Sequence, residues 1–74
     1  MYEIRLSNGQ SFHVKTFQLD NGFVRFIPRK AFNLIMSGGL LSSEAKWVED
    51  KEFESSEELI LPGQRITLIR GIAK

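Results

Sequence analysis

The sequence has no cysteine, and this absence alone excludes several kinds of site. A chain without thiols carries no disulfide, no thiolate-bound metal and no cysteine nucleophile. Small secreted domains are usually cross-linked by disulfides, so we expect an intracellular protein located in the cytoplasm. The sequence also lacks a long apolar run, and we therefore expect neither a signal peptide nor a membrane-spanning segment.

The residues that usually carry catalysis or bind metals are also scarce. His13 is the single histidine, and its position between Phe12 and Val14 predicts a solvent-facing side chain on a strand. One histidine makes a zinc site in a cysteine-free chain only if carboxylates supply the other ligands. The Gly38-Gly39 pair lacks the lysine of a phosphate-binding loop. We therefore expect a protein that is not an enzyme and that carries no cofactor and no metal.

The length of 74 residues leaves room for one domain, which we expect to span residues 1–74. A domain of this size buries only roughly 60% of the surface that its unfolded chain exposes. Near the amino end, Ile4 and Leu6 alternate with charged residues, which is typical of a strand with one buried face. Asn8-Gly9 follows, and this dipeptide is a strong signal for a hairpin turn.

The returning strand carries Val14 on its buried face, but Phe17 lies an odd number of residues farther along and would point to the opposite face. Either this strand ends near Thr16, or a bulge there reverses its phase. Residues 20–22, Asp-Asn-Gly, predict a second turn. In residues 23–27, apolar side chains occupy positions that point to both faces of a strand, so this segment is expected to be a central strand.

Pro28 changes the predicted secondary structure, because proline fits the first position of a helix, where no N–H donor is needed. The apolar residues that share helical spacing after it are Ala31, Phe32, Ile35 and Met36. Gly38-Gly39 would end such a helix by adopting a left-handed conformation. The sequence therefore predicts one short helix over residues 29–37.

The second half of the chain again predicts strands. Trp47 is expected to point inward from a strand that ends at a turn near Asp50. Strands over residues 59–61 and 65–70 flank a predicted type II turn at residues 62–63. The predicted fold class is therefore α+β, a small curled antiparallel β-sheet or partly open barrel of five to six strands with one short helix.

The charges are distributed unevenly, although the formal net charge is only +1. Residues 44–58 hold seven acidic and two basic residues, a net charge of −5, whereas residues 1–43 and 59–74 each carry +3. An acidic band of this kind can steer association with a basic protein surface. The leading hypothesis is a non-enzymatic module that binds another protein through Glu49, Asp50, Glu52 and Glu54.

The alternative hypothesis places binding in the basic first half of the chain. Residues 23–26, Phe-Val-Arg-Phe, interleave aromatic and basic side chains, as nucleic-acid-binding surfaces do. The near-neutral overall charge counts against a general nucleic-acid binder. This alternative predicts that nucleic acid, a nucleotide or another anion binds Arg25, Arg29 and Lys30. Neither hypothesis involves a membrane, and neither defines the oligomeric state.

A resemblance to a known group of proteins rests on residues 20–24, Asp-Asn-Gly-Phe-Val, followed by Pro28 and Phe32. Together they resemble the strand–proline–helix pattern of small accessory proteins encoded by phages and prophages. That group includes inhibitors and sponges of host enzymes and defence signals. The resemblance covers about a fifth of the chain and includes no diagnostic motif. It implies an inhibitor or regulator of a host protein, and it implies no site residues.

Overall fold

The computed structural model describes residues 1–37, 44–54 and 57–72. The strands in these residues are β1 Tyr2–Leu6, β2 Gln10–Asp20, β3 Phe23–Ser37, β4 Glu44–Glu49, β5 Leu59–Pro62 and β6 Ile66–Gly71. They form one antiparallel sheet, curled into a half-barrel, in the spatial order β4-β3-β2-β1-β6. β5 pairs with residues 23–26 of β3, while β4 pairs with residues 32–37 of the same strand. The predicted curled antiparallel sheet is therefore confirmed.

The predicted helix over residues 29–37 is wrong, because these residues continue β3. The α+β fold class is accordingly wrong as well, since the described chain is nearly all β, with one short 3₁₀ turn at Gly63–Arg65. Gly38-Gly39, which was expected to end the helix, lies outside the described residues. Arg29 and Lys30 are consequently strand residues.

Pairing on both edges explains why this segment is a strand. Asn33 pairs with Gln10 of β2 on one side and with Val48 of β4 on the other, so its surroundings favour an extended backbone. The apolar residues of this short segment fit a helical or an extended period about equally well, and tertiary pairing decides between them. Ile27, at the N-cap position before Pro28, also has no side-chain oxygen to cap a helix.

The two predicted hairpin turns are present, but they differ in backbone conformation. Between β1 and β2 only Gly9 has a positive φ, of 89°, and the side-chain oxygen of Asn8 accepts a hydrogen bond from the Gln10 N–H at 3.0 Å. Between β2 and β3 both Asn21 (φ 50°) and Gly22 (φ 82°) are left-handed. Two consecutive positive φ angles match the twist of the flanking strands, as in a type I′ turn.

Replacing Gly22 with alanine is expected to destabilise the protein by about 1 kcal/mol, because an L side chain is strained at this φ. No atom lies within 4 Å of the added Cβ, so the cost comes from the backbone alone. Gly71→Ala is the matched control, since its Cβ also meets open space and its φ is not positive. Urea denaturation should separate the two variants, and equal stabilities would contradict this account of the turn.

The hydrophobic core lies on one face of the curled sheet. Its buried members are Ile4, Leu6, Phe12, Val14, Val24, Phe26 and Ala31. The partly buried side chains that pack against them include Leu59 and Leu61 of β5 and Ile66 and Ile69 of β6. Because β5 pairs with β3 and β6 pairs with β1, the carboxyl-terminal strands cover the core from both ends of the sheet.

Two details predicted for the second half of the chain differ in the structure. Trp47 is only half-buried and lies outside the core, with the Arg5 guanidinium carbon 5.2 Å from the centre of its ring. Gly63 has no positive φ, and a 3₁₀ turn replaces the predicted type II turn. The backbone N–H of Gly63 instead donates to the carbonyl of Gly22 at 2.8 Å, which joins this turn to the β2–β3 hairpin.

Candidate functional site

A groove of about 360 Å³ opens where β2 and β3 change register. Residues 15–18 of β2 form one wall, and β3 residues around Ile27 form the other. Glu58, just before β5, completes the lining. We call this feature the bulge groove, and its lining residues are Lys15, Thr16, Phe17, Gln18, Arg25, Phe26, Ile27, Arg29 and Glu58.

Two β-bulges place the groove at this point of the sheet. β2 has one extra residue between Val14 and Phe17, and β3 has one extra residue, Arg29, next to Pro28. Proline is tolerated in a sheet at such irregularities, because it cannot donate to the ladder. The change of phase predicted near Thr16 is thus confirmed as a bulge. Since bulges redirect side chains, exposed residues of both strands meet in one groove.

Cationic side chains dominate the charge of the bulge groove. Lys15 and Arg29 are exposed, and Arg25 pairs with Glu58 at 3.1 Å between its Nη2 and the carboxylate Oε1. Nε of Arg25 is buried and meets no hydrogen-bond acceptor within residues 1–37, 44–54 and 57–72. A buried donor without an acceptor costs roughly 1–3 kcal/mol.

The structure brings together two of the three residues predicted to bind an anion. Arg25 and Arg29 both line the bulge groove, whereas Lys30 pairs with His13 farther along the β2–β3 ladder. Lys15 lines the groove although the sequence did not single it out. The predicted change of phase at Thr16 could have identified Lys15, because a bulge at Thr16 turns the adjacent Lys15 side chain toward the groove.

The acidic residues predicted to bind a partner lie at the end of β4 and in the segment that follows. Glu49, Glu52 and Glu54 are exposed. Asp50 has a structural contact, since its carboxylate accepts a hydrogen bond from the backbone N–H of Glu52 at 3.1 Å. Glu54 lines a smaller groove of about 180 Å³ beside Pro28. The exposure and contacts of these four residues do not show whether they bind a partner, so this role stays a prediction.

A second polar site lies on the face of the sheet opposite the core. The Glu3 side chain is only 6% exposed, and Arg5 donates from Nε to its Oε2 at 2.8 Å. Arg70 donates from Nε to Oε1 at 2.5 Å, and the Ser11 hydroxyl donates to Oε2 at 3.0 Å. These four residues, the Glu3 cluster, link β1, β2 and β6. The sequence pattern does not reveal the cluster, because the alternation of β1 assigns Glu3 to the solvent-facing side.

The hydrogen bonds of the Glu3 cluster control its ionisation. Burial disfavours the charged carboxylate, but the donors from both arginines and Ser11 outweigh it and lower the pKa of Glu3 to about 2. Glu3 therefore stays ionised at neutral pH and binds cationic side chains that belong to the protein itself. We interpret the cluster as a stabilising contact between strands.

Comparison of the chain with protein-family models, with curated proteins and with solved structures finds no match in any of the three. The resemblance to phage-encoded accessory proteins therefore stays a prediction. The described residues contain no helix that is long and apolar enough to cross a membrane.

His13 lies on the same face as the Glu3 cluster, and its ring centre is 4.4 Å from that of Phe32. Burial of the imidazole is the largest influence and lowers the pKa of His13 below its usual value, while charges such as Glu3 and Lys30 act in opposite directions. His13 is half-buried rather than fully solvent-facing. It is not among the residues that line the bulge groove.

Proposed function

We propose that this protein is a non-enzymatic binding module that takes a phosphate-bearing ligand into the bulge groove. The observation that carries the proposal is the convergence of Lys15, Arg25 and Arg29 on one groove, in which Glu58 is the single carboxylate among the described lining residues. Guanidinium groups bind phosphate oxygens through several directed hydrogen bonds, and an ammonium group adds a compact positive charge.

The chemistry of the lining favours binding over catalysis. The cationic side chains of the groove provide N–H donors and positive charge, and the Glu58 carboxylate is already paired with Arg25. General acid–base catalysis needs a titratable group within hydrogen-bond distance of the reacting atoms. Since His13 is not part of the lining, the groove residues are better suited to holding an anion than to moving a proton.

Contact with a basic protein surface through the acidic segment is the second candidate. The exposure of Glu49, Glu52 and Glu54 supports it, as does the net charge of −5 over residues 44–58. This is the manner in which a phage-type inhibitor or regulator would act on a host protein. We rank it second because Asp50 is engaged in the local turn.

Reversing both exposed cations of the groove tests the proposal. The double variant Lys15→Glu/Arg29→Glu is expected to weaken binding of a fluorescein-labelled oligo(dT) of about 12 nucleotides by about ten-fold or more at ~50 mM salt. The reason is that two attractive contacts with phosphate become repulsive. Fluorescence anisotropy measures the dissociation constant, and inorganic tripolyphosphate serves as the competitor.

The matched control is Lys46→Glu/Lys51→Glu, which changes the net charge equally at exposed residues outside the groove. It should weaken binding much less. Equal losses in the two double variants would reduce the effect to overall charge and overturn the site assignment. Capture of a basic host protein that is lost on reversal of Glu49, Asp50, Glu52 and Glu54 would favour the second candidate.

A further inference from the structure

Three large apolar side chains are exposed around Arg25. Phe23 is 46% exposed, Ile27 54% and Ile60 55%. Phe23 and Ile27 each lie two residues from Arg25 along β3, and Ile60 is its partner on β5. Because side chains alternate along a strand, all four lie on one face of the sheet, and Val24 lies on the other. We call the three apolar residues the Arg25 rim.

The Arg25 rim is not needed to build the core. Val24 and Phe26, on the opposite face of β3, are 4% and 2% exposed and supply the buried contacts of this strand. An exposed phenylalanine beside arginines is typical of surfaces that bind single-stranded nucleic acid, where bases stack on aromatic rings and cations hold the phosphates. Apolar surface next to cationic surface therefore favours a ligand that has both planar and anionic parts.

We propose that the ligand of the bulge groove is single-stranded nucleic acid, with a base stacked on Phe23 and phosphates bound by Arg25, Arg29 and Lys15. This inference rests on the proposed function, because it specifies the ligand of the same groove. Phe23 and Arg29 are six residues apart on β3, roughly 20 Å at the rise of an extended strand. That distance suits a short single strand.

The geometry favours a single strand over the other phosphate ligands. Stacked, paired bases of a duplex leave no free base face for Phe23, whereas an unpaired strand exposes every base. Inorganic phosphate has no planar group to contact the Arg25 rim. The exposed Asp20 pairs directly with Phe23 across the β2–β3 ladder and repels phosphate there. The backbone of the nucleic acid is thus expected on the Arg29 side.

The first test compares two oligomers of equal charge: oligo(dT) of about 12 nucleotides and an abasic phosphodiester chain of the same length. Phe23→Ala is expected to weaken oligo(dT) binding about five-fold or more, because base–aromatic stacking is lost. It should leave abasic-chain binding nearly unchanged. Phe23→Trp should retain tight binding of oligo(dT), since it keeps an aromatic surface.

Leu19→Ala is the matched apolar truncation, at a residue that is 71% exposed on the same hairpin but pairs with Val24 rather than lying beside Arg25. It should not affect either oligomer. Circular dichroism and the melting temperature of each variant show whether the fold is intact. Salt titration of the parent should give a slope of log K against log salt of about −2, from three phosphate contacts.

The outcomes separate this inference from the proposed function. If Lys15→Glu/Arg29→Glu weakens binding of both oligomers while Phe23→Ala weakens neither, the anion site stands and the stacking inference is wrong. Binding of poly-glutamate as tight as that of oligo(dT) would likewise overturn the nucleic-acid assignment. If neither oligomer binds even at low salt, both proposals fail.

Discussion

Replacing Phe26 with alanine is expected to leave the protein largely unfolded. Phe26 is 2% exposed, and its ring centre lies 5.6 Å from that of Phe12 across the core. Truncation of a buried phenylalanine costs roughly 3–5 kcal/mol, because it removes apolar contacts and leaves a cavity. A small domain has a total stability of about 5 kcal/mol, so little would remain. Thermal unfolding followed by circular dichroism measures the effect.

Phe23→Ala provides the matched control, since it removes the same side chain from a 46% exposed position on the same strand. Its melting temperature should fall by only a few degrees, because its contribution to stability is much smaller. A cooperatively folded Phe26→Ala variant with nearly the parent melting temperature would show that the assignment of buried and exposed faces to β3 is wrong.

Replacing Glu3 with glutamine is expected to cost about 3 kcal/mol at pH 7. The pKa of Glu3 falls from 4.5 to about 2 in the folded chain, and each unit of such a difference corresponds to about 1.4 kcal/mol. Glutamine keeps the size of the side chain but loses the charge that binds Arg5 and Arg70. Glu58→Gln is the control, and it should cost at most about 1 kcal/mol because its ion pair is exposed.

The pH dependence of stability gives the same prediction an independent readout. A carboxyl whose pKa is lower in the folded state stabilises the protein above its unfolded value of 4.5, and this contribution is lost as the pH falls toward about 2. The lowered pKa of His13 acts in the same direction, since stability falls as the unfolded imidazole becomes protonated below about 6.5.

Urea denaturation between pH 7 and pH 2 separates the two groups. The Glu3→Gln variant should keep the loss of stability near pH 6 that comes from His13, and it should lack the loss below pH 4.5 that comes from Glu3. A parent and a variant with parallel pH profiles below pH 4.5 would show that the Glu3 cluster does not form.

Local sequence patterns predicted most of the strands, and they failed where the apolar residues fit both a helical and an extended spacing. The alternation around Ile4 and Val14 correctly identified the buried face of the first hairpin, because both residues are fully buried. The segment 29–37 contains apolar residues that suit either period, and its strand pairs with residues far away in the sequence. The wrong helix therefore reflects long-range pairing that a local pattern does not contain.

The candidate site was predicted only in part, for a related reason. Arg25 and Arg29 stood out as basic residues close together in sequence, and the groove contains both. Lys15 is adjacent to them only because two strands change register at the same level of the ladder. Glu3 and Arg70 are separated by nearly the whole chain, and the pairing of β1 with β6 alone brings them together.

An NMR titration of the ¹⁵N-labelled chain with oligo(dT) of about 12 nucleotides shows which residues contact the nucleic acid. The largest shifts in amide signals are expected at residues 15–18, at residues 25–27 and at Arg29, all of which line the bulge groove, and at Phe23. Shifts confined to residues 49–54, or unchanged spectra at low salt and millimolar oligonucleotide, would contradict the claim that this groove is the binding site.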